Sequence, residues 1–438
     1  MQIDNTTFSD LSIFHQEEES SIFHKLNFTQ TIGGKEWLAR FFSEPLAEVK
    51  KITEVQQILQ CITANEMQWP QTITNGTVMV IEKFYESPID TIPDSPNFLN
   101  AISYKLLHAP DYSLVRYTVG HFADFVRGFS ELAAVFDNDK SPVTFRLYIQ
   151  RAVQLLNNEA IAALAKTKKG DVLTPLQTIY FGNYIRYRFK NAALELIDIF
   201  GRLDAWYAMA RAVKTYHLSF PAFTDSPRAA LDAKGLYHIL LPAPVAYDVN
   251  LQQQQNFLFL TGANMAGKST FIKSVGAAVY LAHLGMGVPA QSMQLSLFDG
   301  ILSNINVVDN IVKGESYFFN EVQRIKNTII KINDDKKWLV LIDELFKGTN
   351  VQDAMKSSGA VIKGLIKIPN SLFILSTHLY EIADELNVYP NIIFRYFETE
   401  VKEDQLLFSY QLKEGISNDR IGYLILKQEK VVEMLENL

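Results

Sequence analysis

The feature that most constrains the fold is a glycine-rich loop between a short apolar run and a segment of helical character. Phe257–Thr261 has the composition of a buried strand, and residues 262–270 follow it with the pattern Gly-x-x-x-x-Gly-Lys-Ser. Glycines let successive backbone N–H groups turn inward around phosphate oxygens, and a helix that starts there adds the positive end of its dipole. The pattern in this setting predicts a phosphate-binding loop of an α/β domain.

The side chains of this loop indicate the ligand. We expect Lys268 to reach the β- and γ-phosphates of ATP, where it also serves catalysis, and the Ser269 hydroxyl to coordinate Mg²⁺. ATP and Mg²⁺ are therefore the predicted cofactors. The predicted ATP-binding residues of the loop are Gly262, Ala263, Asn264, Met265, Ala266, Gly267, Lys268, Ser269 and Thr270.

Two further apolar runs end in polar side chains that suit the same site. Residues 338–342 read as a buried strand followed by Asp343 and Glu344, and Leu372–Ser376 is followed by Thr377 and His378. Open α/β sheets bind ligands at the carboxyl ends of their strands. We expect Asp343 to hold the metal, Glu344 to polarise the attacking water, and His378 to contact the γ-phosphate.

Residues 1–220 have helical periodicity and predict an all-α domain. Thr174-Pro175 is an N-cap and first-turn pair that starts a long helix with apolar residues at helical spacing, interrupted at Gly182 or Gly201. Such a helix suits a lever, and a plain bundle helix is the alternative. Prolines, Ser226 and Gly235 indicate a linker at 221–235. An α/β domain is predicted over 236–438.

The net charge of −7 does not by itself indicate a nucleic-acid binder, but the charge is uneven. Residues 101–220 carry 15 basic and 10 acidic side chains. Within them Arg186 and Lys190 lie four apart, which places both on one helix face and makes them candidate DNA contacts. The alternative is a solvated face that forms ion pairs with neighbours such as Glu195.

The cysteine content and the apolar stretches bear on location. Cys61 is the single cysteine, so a disulfide framework is excluded within one chain and a reducing, cytoplasmic setting is expected. Residues 274–298 contain no Asp, Glu, Lys or Arg, yet they hold His283, Pro289 and several glycines directly after the phosphate loop. A buried helix and strand are expected there, with a membrane span as the alternative.

Several motifs, in the same order, resemble the MutS family of DNA mismatch-repair ATPases, a branch of the ABC-type ATPases. The loop reads TGANMAGKST, close to the family's TGPNMGGKST, and residues 314–318 with Glu321 are similar to its Gly-x-Ser-Thr-Phe…Glu signature. Residues 287–290, 343–349 and 376–378 resemble further family elements, and residues 31–46 the start of its core domain. The resemblance implies an ABC/MutS-type P-loop sheet preceded by a helical core and lever domain.

The resemblance also implies partners and further site residues. In the family two subunits form composite ATP sites, so a homodimer is expected in which Ser316 contacts the partner's γ-phosphate. A helix start capped by a small polar residue is the local alternative for Ser316. Where the family often has an adenine-stacking Phe, Val245 and Tyr247 are the substitutes.

The sequence also departs from the family pattern. The match begins near residue 5, so the family's mismatch-recognition and connector domains are not expected in this chain. The loop after Glu344 reads Leu-Phe-Lys in place of Ile-Gly-Arg. The expected function is ATP-controlled clamping of double-stranded or branched DNA in repair, with other repair proteins as further partners and no membrane. The alternatives are an ATPase for branched recombination DNA and an ATP-switched interaction protein that binds no DNA.

Overall fold

The computed structural model describes residues 1–167, 171–306, 317–402, 405–417, 430–431 and 434. In chain order its α-helices are α1 (Asn5–Asp10), α2 (Ile22–Leu26), α3 (Ile32–Ser43), α4 (Val49–Ala64), α5 (Asn75–Glu86), α6 (Phe98–Leu107), α7 (Ala109–Phe136), α8 (Val143–Leu156), α9 (Glu159–Ala165), α10 (Pro175–Asn183), α11 (Lys190–Thr215), α12 (Lys268–His283), α13 (Tyr317–Ile332), α14 (Val351–Leu365) and α15 (Ile382–Leu386). Its strands are β1 (Ala222–Thr224), β2 (Leu231–Leu236), β3 (Tyr247–Leu251), β4 (Phe257–Thr261), β5 (Ser292–Ser296), β6 (Gly300–Asn304), β7 (Trp338–Asp343), β8 (Leu372–Ser376), β9 (Ile392–Lys402) and β10 (Gln405–Glu414).

The chain folds into two compact units. The helical unit comprises Leu26–Ser43 and Glu54–Lys214, and the α/β unit comprises Met1–Lys25, Glu44–Thr53 and Thr215–Leu438. The expected succession of a helical part and a mixed α/β part is thereby confirmed. The units do not follow the boundaries predicted from the sequence, because two N-terminal segments pack with the α/β unit.

Helix α7 forms the centre of the helical unit. It buries Phe122, Phe125 and Phe129 at spacings of three and four residues, which places the three rings on one face of the helix. Helices α5, α8 and α10 pack against α7. The core of this unit is thus an aromatic seam along one long helix.

The long helix predicted to start at Thr174 is interrupted directly after Asn183, close to Gly182, and not at Gly201. Thr174 caps α10 as expected, because its hydroxyl accepts the Gln177 N–H. A π-helical turn, Tyr184–Arg188, then separates α10 from α11. Gly201 lies inside the unbroken α11, where an added Cβ would meet the Gly33 backbone at 3.1 Å. Gly201 therefore permits a close helix contact and does not break the helix.

The main sheet of the α/β unit has six strands in the order β10-β9-β4-β8-β7-β6. Strands β9, β4, β8, β7 and β6 are parallel neighbours, and β10 pairs antiparallel with β9 at the edge. Every residue of β4, β6, β7 and β8 is buried, and the nearly continuous apolar composition of β4, β7 and β8 agrees with this burial. A second sheet has the order β1-β5-β2-β3.

The first 25 residues belong to the α/β unit because α1 is tied to β6 by a buried carboxylate. Asp10 is 1% exposed and accepts hydrogen bonds from the Ser303 hydroxyl at 2.6 Å and the Ile305 N–H at 3.0 Å. Such contacts join residues almost 300 positions apart, and a buried carboxylate without them would carry a large desolvation cost. Local helical character alone had assigned this segment to the helical domain.

The predicted linker at 221–235 is also corrected by the structure, because it contributes to the second sheet. Strand β1 pairs parallel with β5, and β2 pairs antiparallel with both β5 and β3. Pro221 directly precedes β1, Pro227 lies between β1 and β2, and Gly235 lies within β2, where the pairing with β3 shifts register, so these residues flank or belong to the two strands. Their partner β5 is distant in sequence, so the pairing leaves no local signal.

Candidate functional site

Three neighbouring parallel strands bring most of the predicted site residues to one edge of the main sheet. In the register of β4, β8 and β7, Leu260 lies opposite Ser376, and Ser376 lies opposite Asp343. The glycine-rich loop, the acidic pair and His378 therefore leave adjacent strand ends. This is the edge at which open α/β sheets bind ligands.

The glycine-rich loop has three residues in the left-handed region of backbone conformation. Gly262 has φ 136°, Met265 has φ 69° and Gly267 has φ 110°. At Gly262 an added Cβ would also meet the Phe397 backbone at 3.2 Å. Gly267 caps α12, whose first residue is Lys268. The loop therefore needs glycine at both ends, and it delivers the chain into a helix N-terminus.

Lys268 is 5% exposed and points its ammonium back into the loop. Its Nζ donates hydrogen bonds to the carbonyl oxygens of Gly262 at 2.8 Å and Ala263 at 2.9 Å. Burial lowers the pKa of Lys268, while the charges of Glu344 and Asp343 act in the opposite direction. A buried cation is thus held at the mouth of the loop beside two carboxylates.

The side chains of Asp343 and Glu344 have different surroundings. Asp343 is 8% exposed, and its carboxylate accepts a hydrogen bond from the Ser376 hydroxyl on the adjacent strand. Glu344 adopts φ 63°, an uncommon conformation for a non-glycine residue that is frequent at functional sites. Its N–H donates to the Ser376 carbonyl at 2.9 Å. Glu344 thus leaves β7 in an uncommon backbone conformation, while Asp343 is bound to the adjacent strand.

His378 and Lys347 both approach the Glu344 carboxylate. The His378 Nδ1 lies 3.6 Å and the Lys347 Nζ lies 3.2 Å from Glu344 Oε2. Burial acts to raise the pKa of Glu344, but the neighbouring His378 imidazole and the charge of Lys347 outweigh it and lower the pKa to about 2. Glu344 is therefore an ionised, partly desolvated carboxylate at neutral pH.

A cavity of about 740 Å³ joins these groups. Its lining includes ten of the residues predicted to bind ATP or to act in catalysis, which lie on the loop, on the segment before β4 and after β7. They are Val245, Tyr247, Ala263, Asn264, Met265, Gly267, Lys268, Ser269, Thr270 and Glu344. Gly262, Ala266, Asp343 and His378 lie next to this lining in the chain or on the adjacent strand end.

The cavity is lined by one aromatic residue that the sequence predicts and by a second that it does not. Tyr247 is 6% exposed, and its ring packs edge-on against Phe271 and Phe397. Tyr410, which the sequence did not indicate, lines the same cavity and is 42% exposed. It lies where the register between β9 and β10 shifts, and this irregularity with φ 53° turns it toward the cavity. No local pattern signals that irregularity.

The donor set at this edge fits a magnesium ion. The exposed Ser269 hydroxyl and the Asp343 carboxylate are oxygen donors, and Mg²⁺ is usually bound through one or two protein oxygens together with phosphate oxygens and water. Ser269 and Asp343, which the sequence predicts as the metal ligands, therefore have oxygen donors of the kind that Mg²⁺ prefers.

Ser316 lies outside the described residues, so its predicted role stays a prediction. Helix α13 begins directly after it, at Tyr317. On this helix Glu321 is 4% exposed and accepts hydrogen bonds from the loop that follows Glu344. The sequence indicated Glu321 only through the resemblance, without a role.

The candidate DNA contacts of the helical unit line a separate surface pocket. Arg186 and Lys190 line it together with Tyr85 and Arg188. The Arg186 guanidinium donates to the Phe84 carbonyl and, at 2.8 Å, to the Ser87 carbonyl, while the Lys190 Nζ lies 5.7 Å from the Tyr85 ring centroid. Arg186 therefore has a structural role at the end of α5, and Glu195 pairs with Arg151 instead of this group.

Fold and site together define a protein with an α/β domain whose sheet edge presents a glycine-rich loop, an acidic strand end and a histidine. The family model described as MutS domain V matches residues 258–435, which contain these elements. The resemblance to the MutS family that the motifs indicate is therefore confirmed for this part of the chain.

Curated relatives support the same family. DNA mismatch repair protein MutS of Petrotoga mobilis is 25% identical over 270 residues, which cover 61% of this chain and 32% of the relative. DNA mismatch repair protein MSH3 of Vanderwaltozyma polyspora is 32% identical over 250 residues, 54% of this chain and 24% of the relative. Human MutS protein homolog 4 is 29% identical over 245 residues, 53% of this chain and 25% of the relative. The matched segment thus covers a third or less of each relative.

The apolar stretch at 274–298 divides between α12 and β5, as expected from the sequence. Among the residues that the structure describes, no helix is long and apolar enough to cross a membrane.

Proposed function

We propose that this chain is a MutS-type ATPase that binds ATP with Mg²⁺ at the main sheet edge and hydrolyses it to ADP and phosphate. The observation that carries the proposal is that Lys268, Ser269 and Glu344 line one cavity of about 740 Å³. A cation, a hydroxyl and an ionised carboxylate at the N-terminus of a helix are the groups that phosphoryl transfer to water requires.

The glycine-rich loop and α12 bind the phosphate chain in this proposal. Backbone N–H groups of residues 262–267 face the β-phosphate, and the helix N-terminus adds favourable dipole charge. Lys268 exchanges its bonds to the Gly262 and Ala263 carbonyls for phosphate oxygens. Ser269 and Asp343 hold the metal, which when bound neutralises charge that develops on the phosphoryl oxygens.

Glu344 orients the attacking water. With a pKa of about 2 it is ionised at neutral pH, so it accepts a hydrogen bond from the water and takes up its proton as the bond to phosphorus forms. His378 lies beside the carboxylate and is 53% exposed, which leaves its ring free to approach the γ-phosphate. The assignments of catalytic roles to Glu344, His378 and Lys268 rest on these positions.

The base of the nucleotide lies, in the proposal, along the Val245 and Tyr247 side of the cavity. Tyr410 joins these two as a third wall residue because its ring is the most exposed of the aromatic candidates. Aromatic faces bind flat nucleobases by stacking, and an exposed ring can present such a face.

The proposed assembly is a homodimer with composite sites, in which Ser316 of each subunit meets the nucleotide of the other. This part of the proposal rests on the similarity of residues 258–435 to MutS domain V. Nucleotide-dependent closure of two such subunits gives ATP control over clamping of double-stranded or branched DNA in repair, with other repair proteins as further partners. A cytoplasmic location agrees with this role.

One observation favours a second candidate function, an ATP-switched interaction protein that binds no DNA. In the helical unit, Arg186 donates to backbone carbonyls, Arg188 pairs with Asp94 and Arg151 pairs with Glu195. Cations already engaged by the protein contribute less to phosphate binding. An ATPase for branched recombination DNA is the third possibility.

One experiment tests hydrolysis and separates these functions. ATP turnover by the purified chain is measured with Mg²⁺ or with EDTA, alone and with homoduplex, single-mismatch, fork and four-way-junction DNA, and gel shifts use the same DNA panel. Slow Mg²⁺-dependent turnover is expected, with binding to duplex or branched DNA. ATP turnover that no DNA stimulates, by a protein that shifts none of these DNAs, would favour the interaction protein. The absence of any ATP turnover would overturn the ATPase assignment.

A further inference from the structure

The loop after Glu344 wraps around a buried carboxylate that comes from α13. Glu321 accepts the Lys347 N–H on Oε1 at 3.2 Å and the Gly348 N–H on Oε2 at 3.3 Å. The Phe346 N–H also faces this carboxylate. Burial raises the pKa of Glu321, and these three N–H groups oppose that effect by stabilising the charged form. One side chain thus accepts hydrogen bonds from two consecutive backbone N–H groups, and a third faces it.

This arrangement is a backbone nest filled by a side chain of the same protein. Phe346 has φ 61°, and a residue in this conformation makes neighbouring N–H groups converge on one point. Such concavities bind anions, and here the anion is the Glu321 carboxylate. The Phe346 ring is 4% exposed and packs 5.6 Å, centroid to centroid, from the Phe318 ring on α13. Polar and aromatic contacts therefore fix the same loop to the same helix.

The loop held in this way carries a charge that reaches the candidate catalytic carboxylate. Lys347 lines the cavity, and its Nζ lies 3.2 Å from Glu344 Oε2. Replacement of the Glu321 carboxylate by an amide would remove one of the two acceptor oxygens from these part-buried N–H groups, which costs free energy and favours a different loop conformation. Glu344 and Lys347 would then lose their mutual placement.

We propose that Glu321 is a positioning residue for ATP hydrolysis, which sets the loop after Glu344 and thereby the geometry of Glu344 and Lys347 in the cavity. The inference rests on the proposed ATPase function. It differs from a purely structural role because it predicts an effect on turnover that is separable from nucleotide binding and from folding. Glu321 is not itself in the cavity lining, so the nucleotide contacts of the glycine-rich loop stay intact when it is changed.

The test compares Glu321→Gln and Glu321→Asp with Glu385→Gln, an exposed glutamate of the same unit that pairs with Lys363. Glu321→Gln removes the charge with little change in shape, and Glu321→Asp keeps the charge but shortens its reach. We expect Glu321→Gln to lower kcat by about tenfold to a hundredfold, because small misplacements of catalytic groups have effects of this size. We expect KM and the Kd for a fluorescent ATP analogue to be retained, Glu321→Asp to recover part of kcat, and Glu385→Gln to match the parent.

A folded Glu321→Gln variant that turns over ATP at the parental rate would overturn the inference, and so would equal losses in kcat and nucleotide affinity. If Glu321→Gln does not fold, the same comparison is decided by Glu321→Asp. Hydrogen exchange on the parent protein provides a readout that needs no activity: the amides of Lys347 and Gly348 should be protected. Rapid exchange of these two amides would refute the proposed contact between Glu321 and the loop. Protected amides in a protein without ATP turnover would instead locate the failure in the proposed function.

Discussion

The imidazole of His378 and the carboxylate of Glu344 meet at the ends of adjacent strands, with 3.6 Å between Nδ1 and Oε2. Strand pairing brings the two residues together, since Asp343 lies opposite Ser376 in the register of β7 and β8. The contact lowers the pKa of Glu344 against the effect of burial, and Lys347 reinforces it. A carboxylate that is ionised yet partly shielded from solvent is suited to orient one water molecule.

Replacement of Lys268 should weaken nucleotide binding. Lys268→Ala removes a buried ammonium that we expect to contact phosphate oxygens, and hydrogen bonds to charged groups contribute about 1.5–3 kcal/mol. The Kd for ATP should therefore rise by about tenfold to a hundredfold or more. Titration with a fluorescent ATP analogue measures this change. Lys363→Ala, at a partly exposed lysine of the same unit that pairs with Glu385, serves as the control, and equal affinities in both variants would contradict the assignment.

Replacement of Glu344 should separate binding from turnover. Glu344→Gln keeps the shape of the side chain but removes its ability to accept a proton, so kcat should fall by about a hundredfold or more. ATP affinity should be retained, because the loop and Lys268 are unchanged. Single-turnover hydrolysis together with a binding titration checks both points. Parental kcat in this variant would show that another group activates the water.

ATP should promote dimers, most clearly when hydrolysis is blocked. A ligand that binds only the dimeric form shifts the equilibrium toward it by mass action. Light scattering of the Glu344→Gln variant with ATP and Mg²⁺ should therefore show a dimer at concentrations where the nucleotide-free protein is smaller. A monomer at every concentration tested would refute composite sites.

Mixed dimers test the role of Ser316. In a heterodimer of a Ser316→Ala subunit and a Lys268→Ala subunit, both changes affect one composite site and leave the other complete. Mixing the two inactive variants should restore turnover at no more than one site. No recovery at all, in samples where the heterodimer is demonstrated, would argue against a contribution of Ser316 in trans.

Lys190 and Arg186 should behave differently when changed. Lys190→Ala should lower affinity for all DNA structures alike and reduce the slope of log affinity against log salt by about one phosphate contact. Arg186→Ala should mainly lower thermal stability, because the Phe84 and Ser87 carbonyls lose their donor, at about 1–3 kcal/mol. Salt-dependent binding and thermal unfolding distinguish the two effects. DNA binding by Lys190→Ala at the parental affinity would show that the pocket around Lys190 does not contact DNA.

Asp204 should make stability depend on pH in the helical unit. This fully buried carboxylate accepts the Thr31 N–H at 2.8 Å and hydroxyl at 2.7 Å, together with the Gln30 N–H. Burial raises its pKa from 3.8 to about 6 despite these hydrogen bonds. Between these values the folded state retains a proton that the unfolded chain has released, so stability should decrease as pH rises from about 4 to about 6 and then level off.

The contribution of Asp204 should amount to about 3 kcal/mol over this window, since one pKa unit corresponds to about 1.4 kcal/mol. Urea unfolding of the parent and of Asp204→Asn between pH 4 and 7 isolates it as the difference between two curves. The variant should lack this decrease. Parallel curves would mean that Asp204 stays ionised throughout, with its hydrogen bonds outweighing burial.

The amino-acid sequence alone determined the strand–loop–helix unit around Lys268 and the strand ends at Asp343 and His378. These features are local: a glycine-rich loop needs its residues at fixed spacing, and a strand buried on both faces needs a continuous apolar run. The motifs by themselves are specific enough to indicate the MutS family. Their common position followed from a general property of parallel sheets, whose carboxyl ends share one edge.

Only the tertiary structure decided how distant residues complete these units. Asp10 binds β6 across almost 300 positions, β1 and β2 find their partner in β5, and Tyr410 reaches the cavity through an irregular pairing of β10. The sequence offers Arg186 as a candidate DNA contact, and the structure shows that it donates to carbonyls at the end of α5. Hydrogen bonding and burial between remote segments depend on where the whole chain places each group, and periodicity or local spacing carries no record of that placement.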